Sequence, residues 1–361
     1  LRSAKQNGNS LTNGFVTMCF LPHLLFITIS FFILGCSKNP EMSKISGYAQ
    51  GTTYNLTFEL PTDADTSVSH IENAISEELA RMDKVLSNYR DDSLIEQFNA
   101  QISSDVQVVD AEIVELIEIA RAIHRASNGC YDLTIKPLFD LWGFKNDVFT
   151  PPSDAALALT LSSVGLDNLE TIDATHLRKQ LPSLRVDVSS IGQGYAVERI
   201  VKVLGHYGVQ NYLVEIGGEL KVQGKKINGD AWRIALEKPL PDERKMHKIV
   251  SFNSGEPMSL ISSGTYRHFF DDNGKRYSHI LDARSGKPVE HNTVSVTVLH
   301  PDTTLGDAWS TALICLGSQD GLPVANAEGL AVLFIDQEGD QLIETPSNAL
   351  TTITGVSFNN P

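Results

Sequence analysis

Apolar residues at Ile71, Ile75, Leu79, Met82 and Leu86 recur at steps of three and four, and this period predicts an amphipathic helix. A second helix follows the capping residue Asp110. Its core face is Ile113, Leu116, Ile117, Ala120 and Ile123, with Gly129 just past its end. Pro151-Pro152-Ser153 opens a third helix, which Gly165 stops. The stretch GTTYNLTFEL at 51–60 alternates and is rich in β-branched residues, so it predicts a strand. From 184 onward the pattern is mostly strand: LRVDVSSI, NYLVEIGGEL, AWRIALE, MSLISSG, RYSHILD, TVSVTVLH and LAVLFIDQEG are short runs separated by Gly, Pro and Asp. Asp271-Asp272-Asn273-Gly274 has the composition of a hairpin turn. Two helices interrupt the series, near 194–204 and near 305–316. Strands and helices do not alternate regularly, so the predicted class is α+β rather than doubly wound α/β.

The start of the chain has a different pattern. Residues 1–35 carry Arg2 and Lys5 and no acidic side chain, and the apolar run at 24–34 suits the core of a secretory leader. That run is too short to cross a bilayer as a mature helix. It ends in Ile33-Leu34-Gly35-Cys36, which resembles the bacterial lipobox, where the cysteine thiol receives a lipid. An ordinary leader with an incidental cysteine is the alternative. The position of the motif and the polar SKNPEMSK that follows favour the lipobox. The expected organisation is therefore a signal peptide at 1–35, a lipidated tether at 36–47 anchored through Cys36, and one body at 48–361. Several acyl chains would anchor it stably.

Composition narrows the functions open to that body. The chain has 361 residues, 44 of them acidic against 29 basic, for a formal charge of −15. Loss of Arg2 and Lys5 with the leader would make the body more acidic still. Such a surface repels a polyphosphate backbone, so nucleic-acid binding is not expected. An anionic ligand would need a local device: a metal ion, a helix N-terminus or a glycine nest. After removal of Cys19 and lipidation of Cys36, Cys130 and Cys315 remain. They could form one disulfide outside the cytoplasm, although Cys315, inside the apolar ALICLG, also reads as a buried thiol.

Four glycine-punctuated segments could carry chemistry. VDVSSIGQGYAVERI at 186–200 reads as strand, small polar turn and helix; Gly192 and Gly194 would let a ligand approach the backbone. A plain tight turn explains Gly-x-Gly equally well. Gly217-Gly218-Glu219, inside a strand pattern, implies a bulge or a group passing close to the backbone. Ser262-Ser263-Gly264-Thr265-Tyr266-Arg267 and Ser278-His279-Ile280-Leu281-Asp282 concentrate hydroxyls, Arg267 and His279, any of which could be strand decoration. In GDAWSTAL at 306–313, Asp307 and Thr311 are four apart and share a helix face. Carboxylate plus hydroxyl suits a hard cation; an Asp favouring the helix dipole is the plainer reading.

Taken in order, these segments resemble the ApbE family of FAD:protein FMN transferases. The resemblance runs through GTTY at 51–54, LSNYRDDSLIEQFN at 86–99, NGCYDLTIKPLFDLWGF at 128–144, VDVSSIGQGYAV at 186–197 and NYLVEIGGEL at 211–220. It continues through AWRIALEKP at 231–239, ISSGTYRHFF at 261–270, SHILDARSGKPV at 278–289 and GDAWSTAL at 306–313. It implies a T-fold-like mixed-sheet body with flanking helices. The implied reaction is Mg²⁺-dependent transfer of FMN from FAD to a Thr or Ser hydroxyl of a partner redox protein through a phosphoester bond, releasing AMP. Implied partners are subunits of Na⁺-translocating NADH:quinone reductase or Rnf complexes, reached from the periplasmic face of the inner membrane.

By motif, the Mg²⁺ ligands would be Ser190, Asp307 and Thr311. The flavin contacts would be Tyr89, Cys130, Tyr131, Asp132, Asp187, Gln193 and Leu281. Family members often carry Lys or Glu where this chain has Gln193. The incoming hydroxyl has a high pKa and calls for a base; His279, beside a carboxylate-bearing turn, is the candidate. A histidine capping a strand end is the alternative. An FAD pyrophosphatase releasing FMN and AMP, or a flavin-binding lipoprotein without turnover, would share much of this site.

Overall fold

The computed structural model describes residues 42–62, 65–144, 148–241, 245–272 and 275–361. The expected leader, Cys36 and the first part of the tether lie outside the described residues.

Eight strands form the central sheet: β1 (Met42–Ala49), β2 (Thr52–Glu59), β3 (Tyr212–Ile216), β4 (Glu219–Gln223), β5 (Met258–Gly264), β6 (Thr293–His300), β7 (Ala331–Glu338) and β8 (Gln341–Pro346). Their spatial order follows the chain, and every neighbouring pair is antiparallel. The α+β expectation holds, while the mixed sheet expected within it is replaced here by an antiparallel one. Residues 42–47, read as tether, are strand, because Met42 to Ala49 pair along the whole of β2.

Alternation along the strands sorts side chains into two cores. Val296 and Val298 of β6 join a cluster with the helices, whereas Leu299 packs on the opposite face. The helical layer contains α1 (Val68–Leu86), α2 (Leu94–Ala100), α3 (Ala111–Ala126), α4 (Ser189–His206) and α5 (Thr303–Ala327). Ile71, Ile75, Leu79 and Met82 are buried along α1 as their spacing predicted, and Asp110 caps α3 through the Glu112 N–H at 2.9 Å. The helix opened by Ser153 is short, Asp154–Leu161. The opposite face of the sheet carries a three-stranded sheet of Trp232–Glu237, Met246–Phe252 and Val356–Asn359.

Three expectations change where the site is built. The predicted strand LRVDVSSI does not form: residues 184–188 lie outside regular structure and pair with no strand among the described residues. Side-chain amides replace one. Asn88 and Asn99 donate to the Val186 carbonyl at 2.9 and 2.8 Å, and their own amide oxygens accept from Val188 N–H (2.8 Å) and Val186 N–H (2.7 Å). Helix α4 therefore begins at Ser189, before the two glycines, and not at 194. The run RYSHILD is broken into Lys275–Ser278 and Leu281–Asp282. Lys275–Ser278 pairs with Phe269–Asp272 across the expected hairpin, whose Asn273 and Gly274 lie outside the described residues.

Candidate functional site

The chemistry-bearing segments meet at one end of the sheet. There the β1–β2 turn Gln50-Gly51 and the β3–β4 turn Gly217-Gly218 lie side by side, with Gly217 N–H bonded to Thr53 O at 3.0 Å. Gly217 and Gly218 have φ of 68° and 114°, as a two-residue hairpin requires, so the paired glycines make a turn and not the expected bulge. Close approach is also present: a Cβ on Gly217 would lie 2.7 Å from Gln193 Nε2.

Two cavities open here, of about 280 and 570 Å³, and both are lined by Ser189 and Gln193. The smaller is walled by Cys130, Tyr131, Asp132, Asp187, Ser190, Glu219, His279, Leu281, Asp307 and Thr311. Tyr89, 81% exposed, stands at the larger one with Gln50 and Gly192. Every residue expected to bind metal or flavin or to act as the base thus borders one of two cavities that share Ser189 and Gln193.

The helices place the buried groups. Asp302, not Asp307, caps α5, accepting from Leu305 N–H at 3.0 Å. Asp307 lies a turn further in, 5% exposed, and its Oδ2 accepts the Gly194 N–H of α4 at 2.8 Å. The helix-dipole reading of Asp307 is thereby set aside. Gly194 is required for this approach, since a Cβ there would meet Thr303 O at 2.5 Å and Asp307 Cβ at 2.6 Å. Ser190 Oγ donates to Tyr131 Oη at 3.1 Å. Burial raises the Tyr131 phenol pKa, so that ring stays neutral.

Glu219 was not selected from the sequence. It opens β4 immediately after the turn, and its Oε2 is shut from solvent with no hydrogen-bond partner. Burial, with the charge of Glu215 adding, pushes its carboxyl up to about 7. Burial and then the charge of Glu219 push Asp307 well above the usual carboxylate range, against the stabilising Gly194 N–H. Two carboxylates that repel each other in a closed space, one with an orphaned oxygen, form a setting for a cation. The donors around it, Asp307, Glu219, Thr311 and Ser190, are all oxygens, the set a hard divalent ion takes. The available signal was positional: a carboxylate directly after a Gly-Gly turn sits at the sheet end where the backbone is open.

Other selected residues hold the walls. Asp132 Oδ1 accepts from Thr134 N–H and Oγ1 at 2.7 and 2.6 Å, and its Oδ2 from Leu166 N–H at 2.8 Å, so the carboxylate fixes its own loop. Asp187 Oδ1 accepts the Ser189 N–H at 2.9 Å at the start of α4. Cys130 and Cys315 form a disulfide with Cα atoms 6.1 Å apart; Cys315 is not the free buried thiol that its apolar surroundings suggested.

His279 is half-buried, stacked on His268 at 5.3 Å between ring centroids. Its Nδ1–H donates to His268 O at 2.9 Å, which leaves the lone pair on Nε2. Desolvation lowers the imidazole to about 4, outweighing the carbonyl contact, so the ring is neutral at physiological pH.

If Glu219 shares a cation with Asp307, Glu219→Gln removes one ligand charge and keeps the shape. Mg²⁺ affinity, measured by calorimetry on the purified protein, is then expected to fall about tenfold or more. Unchanged affinity would assign Glu219 to the β3–β4 turn alone.

The comparisons with known proteins agree with this geometry. The family model described as "ApbE family" matches residues 50–334. The chain is 35% identical over 324 residues to the FAD:protein FMN transferase of Vibrio cholerae, covering 88% of this chain and 94% of that one. It is also 35% identical over 326 residues to the Salmonella typhimurium protein of the same name, covering 87% and 92%. Among solved structures it is similar to the apo flavinyl transferase ApbE of Pseudomonas stutzeri, with a TM-score of 0.79 and 35% identity over 88% of this chain and 98% of that one. The flavin transferase ApbE of Vibrio cholerae gives a TM-score of 0.78 and 32% identity, covering 86% and 99%. With its motifs gathered around one pair of cavities and its whole body matched in sequence and fold, the chain belongs to the ApbE family.

Proposed function

We infer that the protein is an FAD:protein FMN transferase. The observation that carries this reading is the pair of adjoining cavities with two buried carboxylates at one end, in a chain of this family. A dinucleotide suits two linked compartments. Its diphosphate would lie where Ser189 and Ser190 begin α4, near Asp307 and Glu219. The N-terminus of α4 presents backbone N–H groups and a positive dipole end to an anion.

The finer reading is an Mg²⁺-dependent transfer to a Thr or Ser hydroxyl, with AMP as the leaving group. Asp307, Glu219, Thr311 and Ser190 would hold the ion, which when bound supplies charge neutralisation for the diphosphate. The chain's own residues do the rest. Tyr89, Gln193 and the Cys130–Asp132 wall orient the nucleotide. His279, which lines the smaller cavity and has its Nε2 unprotonated, takes the proton of the incoming hydroxyl. Alignment and electrostatics are what phosphoryl-type transfer asks of a protein.

Acceptors of the Na⁺-translocating NADH:quinone reductase or Rnf type remain the partner expectation. The proposed location is the periplasmic face of the inner membrane, through a lipid on Cys36. The Cys130–Cys315 disulfide supports an oxidising compartment, and the antiparallel sheet with helices on one face supports the T-fold-like reading.

The test is incubation of the protein with FAD, Mg²⁺ and such an acceptor subunit. Flavin fluorescence on the denatured acceptor, with one AMP per label, is the expected result. Free FMN without labelling would reassign the site to FAD hydrolysis, and tight FAD binding without AMP would make it a binding protein.

A further inference from the structure

The disulfide sits at the reaction site and joins its two walls. Cys130 directly precedes Tyr131 and Asp132, on a loop whose Asn128 and Gly129 both have positive φ, 53° and 80°. Cys315 lies on α5 one turn beyond Thr311 and just before Gly317, whose φ of 72° and ψ of 174° break the helix. Both cysteines line the smaller cavity. The loop shares the core with α5, but among the described residues no hydrogen bond from Tyr131, Asp132 or Leu133 reaches that helix. Asp132 is spent on Thr134 and Leu166, Asp187 N–H bonds to Leu133 O at 2.7 Å, and Tyr131 reaches α4 through Ser190.

We propose that the Cys130–Cys315 disulfide is a positioning element of the transferase, pinning the flavin wall 130–132 to the helix that carries Asp307 and Thr311. The enzyme then binds FAD properly only once this bond has formed. This rests on the transferase reading of the cavity. The bond forms by thiol–disulfide exchange with a small disulfide oxidant. Two S–H bonds break and one S–S bond forms. The two electrons and two protons pass to the oxidant, which leaves as two thiols. A chain still in a reducing compartment would have the catalytic groups without the wall that orients FAD, and would leave the FAD there unspent. Cys130 and Cys315 are 1% and 4% exposed, so the bond, once closed, is screened from bulk thiols and serves as an assembly step.

The experiment compares the full chain as disulfide and as dithiol, the latter refolded in dithiothreitol and verified by thiol titration, with a Cys130→Ser, Cys315→Ser variant. FAD affinity is read by quenching of flavin fluorescence, transfer by acceptor labelling, and fold by far-ultraviolet circular dichroism at 25 °C. The expected result is at least tenfold weaker FAD binding in the dithiol form and the variant. The loss should fall on KM for FAD more than on kcat, with the helix signal unchanged. Unfolding the wild-type dithiol and refolding it with oxidised glutathione should restore it and leave the variant as it was. FAD affinity within twofold of the disulfide form would overturn the proposal. So would loss of the helix signal in the dithiol form, because the bond would then serve stability alone. If the disulfide form binds FAD but labels no acceptor, the transferase reading fails while the affinity comparison still decides the role of the bond.

Discussion

Asp307→Asn is expected to lower FMN transfer by roughly a hundredfold or more, since charge clamps on a transferring phosphoryl group are worth a few kcal/mol of transition-state energy. The substitution keeps the size and one oxygen, and the Gly194 N–H at 2.8 Å can still be accepted. Removing a carboxylate from beside Glu219 also relieves repulsion between the two buried groups. The metal-free variant is therefore expected to melt no lower than the metal-free parent, a result that separates a catalytic loss from a folding one. Raising Mg²⁺ should recover part of the rate if affinity was lost. AMP release at the parental rate would remove Asp307 from the reaction. A sharply lowered melting temperature would assign it to the α4–α5 contact.

Removal of the base has the second large effect. His279→Ala is expected to slow transfer about a hundredfold, within the usual range for a positioned general base, with FAD affinity within threefold of the parent. The pH dependence carries the diagnostic sign. An imidazole lowered to about 4 is unprotonated at neutral pH, so the acid limb of kcat should fall only as pH drops toward 4. Stability follows the same group. Unfolding releases a ring that binds a proton below about 6.5, whereas the folded ring resists it down to about 4. Its contribution to stability is complete above pH 6.5 and is lost progressively as pH falls toward 4. In His279→Ala that part of the acid slope should disappear from urea titrations. An unchanged slope together with an unchanged rate would leave His279 as a cap on the strand end.

The helices and most strands were legible because their signals are strong: Ile71 to Leu86 are buried along α1 at the three- and four-residue steps they show, and the β-branched TVSVTVLH forms β6, covered on both faces. The failures have one physical cause, which is tertiary contact replacing a local signal. The segment at 186–188 has the sequence pattern of a strand, but its partners are amides from Asn88 and Asn99 that no local pattern reveals. Gly192 and Gly194 suggested a turn before a helix. The chain is helical there, and residue 194 is glycine because α5 passes so close that only glycine fits. Locally, Glu219 reads only as the residue after the glycine pair in a strand pattern. Its meaning comes from Asp307, far away in the chain and near in space.

The amide pair beside Val186 has a practical consequence for altering this enzyme. One carbonyl oxygen receives two donors, from Asn88 ahead of α2 and Asn99 in its last turn, and each of those side chains returns an acceptor to the same short segment. The segment 186–188, whose Asp187 and Val188 line the two cavities, is thus fastened by Asn99 from outside the residues that touch them and by Asn88 from the wall of the larger one. A library that randomises the pocket while drifting at 88 or 99 would lose binders through a loosened 186–188 segment. Spontaneous deamidation at either asparagine would set a carboxylate against that carbonyl and age the enzyme from beneath. Storage conditions and directed-evolution schemes should treat those two positions as one fixed part.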